Sequence, residues 1–258
     1  SSVTAGWGTY LNATEDNSAG TVTVVTSGAE NGQTVTVSLN GTNYTGTVSN
    51  NSTSVTVAAA GLQALTDGSS YTLTTNVSDA AGNAATENTG TSFTYDITAP
   101  TISDSVAISS ASGVQNSLLN AGDNVSVTAT FSESVIVDNA SGTPTLTLVV
   151  GSTDRTATYA SGSGSTPLVF QYTIQAGETD SDGISIGANV LALNNGTIKD
   201  AAGNDATITH SAVSANASYK VDNTAPSVNF FTLSDTALKA GDNTTVTLVF
   251  SEAVASFS

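Results

Sequence analysis

Hydrophobic residues recur at every second position over short stretches, with Ser, Thr and Asn between them. Thr34-Val35-Thr36-Val37-Ser38-Leu39 sets Val35, Val37 and Leu39 on one face and hydroxyls on the other, the pattern of a half-buried strand. The same alternation predicts strands over 21–25, 54–57, 71–77 and 92–96, then over 125–131, 145–150, 156–159, 168–174, 184–186 and 219–221. Gly, Asn and Asp clusters divide them, and Asn40-Gly41 and Asn195-Gly196 suit tight turns with positive φ. Residues 58–65 alone read as helix, for one or two turns. These elements predict an all-β fold: tandem immunoglobulin-like β-sandwich modules of about seven strands each, in an extended array.

Internal repetition sets the frame. Asp79-Ala-Ala-Gly-Asn83 followed by Asp96-Ile-Thr-Ala-Pro100 returns as Asp200-Ala-Ala-Gly-Asn204 followed by Asp222-Asn-Thr-Ala-Pro226. Ala121-Gly-Asp-Asn124 leading to Phe131-Ser-Glu-Ser-Val135 returns 119 residues later as Ala240-Gly-Asp-Asn243 leading to Phe250-Ser-Glu-Ala-Val254. Periodicity of this kind marks an array of units rather than one enlarged core. The expected divisions are 1–99, a larger module over 100–225, and the opening of a third over 226–258. Two strands in that last stretch are too few for a core of their own, so the expectation is either a longer native chain or strands supplied by another molecule.

Composition narrows the chemistry. Four Lys and Arg against 21 Asp and Glu give a net charge of −17, which argues against nucleic acid or an anionic membrane surface as partner and for cations. Only 10% of residues are charged while 38% are hydrophobic and regularly spaced, unlike a disordered acidic chain. There is no Cys for a disulfide or a thiolate metal site, and no stretch approaches the ~20 apolar residues of a membrane span. The lack of Met, position 1 included, suggests a processed chain or an excised segment. Catalysis is poorly supplied: His210 is the single imidazole, and no Cys nucleophile or Gly-x-Ser-x-Gly elbow occurs. Trp7, the one Trp, reads as packing beneath the first strand, with sugar stacking as the alternative.

Strand direction brings the acids together. On a seven-strand immunoglobulin-like path, Glu133 and the 200–204 loop share the entry pole of the second module, where Asp96 arrives from the first and where Asp16 and Asp67 lie nearby. The next junction gathers Asp123, Asp180, Asp182, Asp222 and Glu252. Carboxylates a few ångströms apart repel by roughly 1 to 4 kcal/mol per pair. Four basic residues cannot serve every cluster, whereas Ca²⁺ takes 6–8 oxygens from carboxylates, Asn side chains, carbonyls and water, and Mg²⁺ is stricter in shape. The candidate ligands are therefore Asp96, Glu133, Asp200 and Asn204 at the first junction, Asp123, Asp180, Asp182, Asp222 and Glu252 at the second, and Asp79 and Asn83 in the first module's own loop. Gly203 lets its loop curl. Turn and linker chemistry alone is the competing account of both motifs. Glu178-Thr-Asp180-Ser-Asp182-Gly183 opens like an EF-hand loop, yet position twelve is Asn189 rather than Glu, so no complete EF-hand is present.

Together with Gln175-Ala-Gly-Glu-Thr-Asp-Ser-Asp-Gly-Ile184, these motifs resemble the bacterial immunoglobulin-like repeats of giant surface adhesins, of the RTX and biofilm-associated types. The 221–226 stretch is also similar to a cadherin linker. The resemblance implies an extracellular, cell-surface extender, not an enzyme, whose interdomain Ca²⁺ stiffens a stalk of neighbouring modules. Adhesion to a glycan or a surface would then belong to other parts of the protein. Ser27-Gly-Ala-Glu-Asn-Gly32 stands in the first module where the second has its Phe-Ser-Glu stretch, which leaves Glu30 a weaker candidate than Glu133. Two alternatives remain open: a filament subunit whose last module is completed by a neighbour's strand, and a glycan- or protein-binding module.

Overall fold

A computed structural model describes residues 1–254 and shows two separate hydrophobic cores followed by a hairpin. The first core is enclosed by β1 (Ser2–Ala5), β2 (Tyr10–Leu11), β3 (Gly20–Val25), β4 (Thr34–Leu39), β5 (Thr42–Thr47), β6 (Ser52–Val57), β7 (Ser70–Val77) and β8 (Asn88–Tyr95), with one helical turn, α1 (Ala59–Leu62). They form a three-stranded sheet, β1-β3-β6, and a five-stranded one, β2-β8-β7-β4-β5. Alternation drives the packing. Val22, Val24, Val55 and Val57 of one sheet and Val35, Val37, Leu73, Phe93 and Tyr95 of the other are buried, while the Thr and Ser between them face out. The β4–β5 turn is Asn40-Gly41, both at positive φ (48° and 76°), as a two-residue hairpin requires.

The second core lies among β9 (Ile102–Ser112), β10 (Leu118–Leu119), β11 (Asn124–Asp138), β12 (Thr145–Val150), β13 (Thr153–Ser161), β14 (Ser165–Thr173), β15 (Leu191–Ala192), β16 (Thr197–Lys199) and β17 (Lys220–Val221). Its sheet runs β15-β12-β13-β14-β11-β16, with β9 also on β11, and β10 pairs in parallel with β17. The strand expected to stop at Phe131 continues to Asp138. β9 pairs with it as far as Phe131, and β16 pairs with it from Ile136. Glu133 sits in the irregular stretch between, where register shifts from Thr130 to Val135. Two other expectations are corrected. The positive-φ pair after β15 is Asn194-Asn195 (53° and 69°), one residue before the predicted turn. Residues 184–186 make isolated bridges, to Val149 and Val213, instead of a strand.

The last described elements are β18 (Val228–Leu233) and β19 (Val246–Phe250), an antiparallel hairpin. Phe230, Phe231, Leu233 and Leu248 on it are exposed.

Because the cores are separate, truncating one should leave the other folded. Phe170 is fully buried and meets Tyr159 edge-on at 6.0 Å between ring centroids. Phe170→Ala is expected to cost about 3–5 kcal/mol in denaturant unfolding of the second core. Trp7, set edge-on 5.3 Å from Phe93 in the first core, should report an unchanged fluorescence transition. A matching shift in the Trp7 transition would show that the two cores unfold as one unit.

Candidate metal centre

The segment between the cores is tied down on both sides. From the first sandwich, Asp67 accepts hydrogen bonds from Ile97 N (2.9 Å) and from the Thr98 hydroxyl. From the second, Thr207 N donates to Pro100 O at 2.8 Å, Ser132 N donates to Thr101 O at 2.7 Å, and Thr101 N donates to the Ser132 hydroxyl at 3.0 Å. Asp96 N donates to Leu11 O at 2.9 Å, extending the parallel β2–β8 pair by one residue. Asp96 is thereby delivered at a fixed point beside Glu133, which follows Ser132.

The third arm is the 200–204 loop. Asp200 Oδ1 accepts Asn204 N (2.9 Å), Asp200 Oδ2 accepts Asn204 Nδ2 (2.8 Å), and Gly203 closes the turn at φ 95°. Asp200 is 3% exposed. One carboxylate oxygen from each of Asp96, Glu133 and Asp200 lies within 4.8 Å of the others, the single group of this kind among the described residues. Burial pushes the Asp96 carboxyl above its ordinary pKa, helped by the charge of Asp200. Burial does the same to Glu133, with Asp96 and Asp200 adding to it. Among the described residues no basic side chain pairs with them: neighbouring Lys199 pairs with Asp205 Oδ1 at 2.8 Å and donates to Gly203 O. Hard oxygen donors, concentrated negative charge and no cation from the protein fit a hard divalent ion.

Other candidates have different surroundings. Asn204 Oδ1 already accepts Ala13 N (3.1 Å) and its Nδ2 donates to Asp96 O (2.9 Å), so its side chain bridges the two sandwiches. Asp16 is buried and accepts the Tyr95 hydroxyl at 2.7 Å, away from the cluster. Asp67 holds the linker from an exposed position. Asp79 and Asn83 repeat the internal bonds of Asp200 and Asn204, both at 2.8 Å, in a loop whose Asn83 is exposed.

At the second junction, Asp222 Oδ1 accepts Thr224 N (2.9 Å) and Asp123 Oδ2 accepts Asn120 N (2.9 Å). Both Asp180 oxygens accept backbone amides, from Gly183 and Gly151, each at 2.7 Å. Glu178 is satisfied by Arg155, the Tyr172 hydroxyl and Gln175 N. Asp182 is exposed beside Lys220 and Asp222 along an open groove. Glu252, the repeat partner of Glu133, keeps one buried oxygen without a hydrogen-bond partner. No trio forms there among the described residues. His210 is tied structurally: its Nε2 accepts Val190 N at 3.0 Å, which leaves the proton on Nδ1 facing Ser211 O.

Asn12, Ala13 and Glu15 were not among the predicted site residues. Leu11-Asn12-Ala13 and Leu119-Asn120-Ala121 form a short repeat that carries their signal.

No family model matches the sequence, and no curated protein does. Among solved structures, a bacterial immunoglobulin-like domain from the M. primoryensis ice-binding adhesin is 35% identical, with 96% of that domain and 38% of this chain covered and a TM-score of 0.28. The likeness is to a bacterial immunoglobulin-like domain over that part of the chain. Two longer adhesin structures are similar over most of the chain. A 1.5-MDa bacterial ice-binding adhesin matches 87% of it at 20% identity and TM-score 0.46. A Ca²⁺-stabilized adhesin of an Antarctic bacterium matches 88% at 25% identity and TM-score 0.42. The chain spans 64% and 51% of their lengths, less than two thirds of either.

The raised Asp96 and Glu133 values have a sign. Without a cation, the folded junction binds protons more tightly than the unfolded chain, so a penalty exists above the folded pKa values and is relieved as pH falls through them. The lowered values of Asp67, held by Thr98 and Ile97, and of Asp79, held by Asn83, act oppositely, and their contribution is lost as pH falls through them. In chelator, carboxyl NMR titrations of Asp96 and Glu133 should therefore have midpoints above those of the unfolded chain. Midpoints at or below the unfolded values would contradict the clustered geometry.

Proposed function

We propose that this chain is a non-enzymatic extender segment of a bacterial cell-surface adhesin, in which Ca²⁺ held by Asp96, Glu133 and Asp200 locks consecutive repeats into a stiff spacer. The observation that carries the reading is the convergence of those three carboxylates, from a linker, a strand irregularity and a loop, with no basic partner. Likeness to adhesin repeats, one of them described as Ca²⁺-stabilized, supports it. On this reading the modules are 1–99, 100–225 and one beginning at 226. Their partners are calcium ions and neighbouring modules, the setting is extracellular, and attachment or biofilm formation is served by other parts of the protein.

The exposed apolar side chains of β18 and β19 favour a further point: strands from outside residues 1–254 complete that sandwich. The same chain or a neighbouring one could supply them, and the length of the native polypeptide separates a stalk from a filament of short subunits.

Extracellular modules commonly bind Ca²⁺ at about 10⁻⁴–10⁻³ M, and a concentration 100 times the dissociation constant adds about 2.7 kcal/mol per site. Calorimetry should therefore show a higher melting temperature in millimolar Ca²⁺ than in chelator, and scattering a narrower distribution of intermodule distances. Asp200→Asn and Glu133→Gln should each weaken Ca²⁺ binding on the order of tenfold or more, given that even outer-shell changes cost 10–100-fold. Superimposable melting and scattering curves in Ca²⁺ and in chelator would sink the proposal.

A further inference from the structure

The two exit poles share one hydrogen-bond frame. Asp96 N donates to Leu11 O and Asp222 N to Leu119 O, both at 2.9 Å. Asn12 N donates to Glu15 Oε2 (3.1 Å) and Asn120 N to Asp123 Oδ2 (2.9 Å). In this frame Ala13 corresponds to Ala121, and Ile97 to Asn223.

What accepts the next amide differs between the poles. Ala13 N donates across the junction to Asn204 Oδ1, whereas Ala121 N donates to Asn223 Oδ1 of its own linker at 2.6 Å. Asn223 is anchored further, because its Nδ2 donates to Glu178 O (2.8 Å) and Gln175 O (3.2 Å). The matching Ile97 has no polar side-chain atom and is 37% exposed, which leaves the Ala13 amide to the neighbouring sandwich.

Asn204 suits that amide because it offers an acceptor and a donor from one planar group. Its carboxamide is held by Asp200, accepts Ala13 N and donates to Asp96 O. Asn12 Nδ2 adds a second cross-junction bond, to Ala202 O at 2.9 Å. Each of the cross-junction bonds joins two protein groups directly.

We propose that Asn204 is an ion-independent latch between consecutive sandwiches, and that the residue after the linker aspartate decides whether the latch can close. Ile97 leaves the Ala13 amide free to receive Asn204. Asn223 fills the same place from within, so the second junction cannot be latched by the module that follows. Adjacent junctions in one stalk thus differ in stiffness before any ion binds.

Amide hydrogen exchange and residual dipolar couplings on the full chain in chelator test this. In the wild type the Ala13 amide should be protected and the two sandwiches aligned. Asn204→Ala should speed exchange at Ala13 by about tenfold, the worth of one such hydrogen bond, and measurably weaken the alignment. Ile97→Asn should keep Ala13 protected, through the new side chain, while the alignment weakens to a similar degree; Ile97→Val should match the wild type in both. Wild-type exchange at Ala13 in Asn204→Ala, or wild-type alignment in Ile97→Asn, would overturn the proposal. Failure of the calcium reading would appear separately, as indifference of the wild type to Ca²⁺.

Discussion

Like-charge repulsion among Asp96, Glu133 and Asp200 is the constraint around which the junction is organised. Oxygens within 4.8 Å of one another repel by roughly 1 to 4 kcal/mol per pair, and an unrestrained chain would swing them apart. Here each is fixed by backbone. Asp96 is held by the parallel β2–β8 pair, Glu133 by the changeover of partners along β11, and Asp200 by the hydrogen bonds of its own loop. The pinned linker between Ile97 and Thr101 keeps the three in register.

Acids elsewhere show what a settled carboxylate looks like. Asp16 has the Tyr95 hydroxyl, Asp180 two backbone amides, and Glu178 an arginine, a tyrosine and an amide. Tyr95 and Tyr172 have their phenol pKa values pushed up to about 12, first by burial and then by these hydrogen bonds. Buried polar groups are normally satisfied in this way. Asp96 and Glu133 are only half-buried; Asp96 Oδ1 accepts Thr98 N at 3.2 Å, and burial raises both carboxyls, with neighbouring acids adding to it. The contrast separates acids held by several protein donors from acids set close to one another.

Much of this was legible in the sequence because it follows from local rules. Period-two alternation located β3, β4, β7, β12 and β14, and the Asn40-Gly41 pair marked its hairpin. Short or polar strands escaped: β5 reads Thr-Asn-Tyr-Thr-Gly-Thr, and β2 and β10 have two residues each, held by nonlocal pairing. Glu133 was read as lying beyond a strand because pairing partners, unlike hydrophobicity, leave no mark along the chain. The bridging role of Asn204 was hidden for a related reason. An Asn in a turn looks the same whether its carboxamide meets water, a metal or a backbone amide 191 positions away.

The short parallel pairs near each exit pole have a mechanical meaning. β2 lies early in its sandwich and β8 at the end, and they run in the same direction, as do β10 and β17. Tension along a tether pulls the first strand of such a pair backward and the last forward. The bonds between them, with Asp96 N to Leu11 O and Asp222 N to Leu119 O, are then sheared together instead of peeled one by one. Each repeat would therefore resist stretching most strongly beside its exit linker, and at the first junction that point of greatest resistance lies next to the clustered carboxylates.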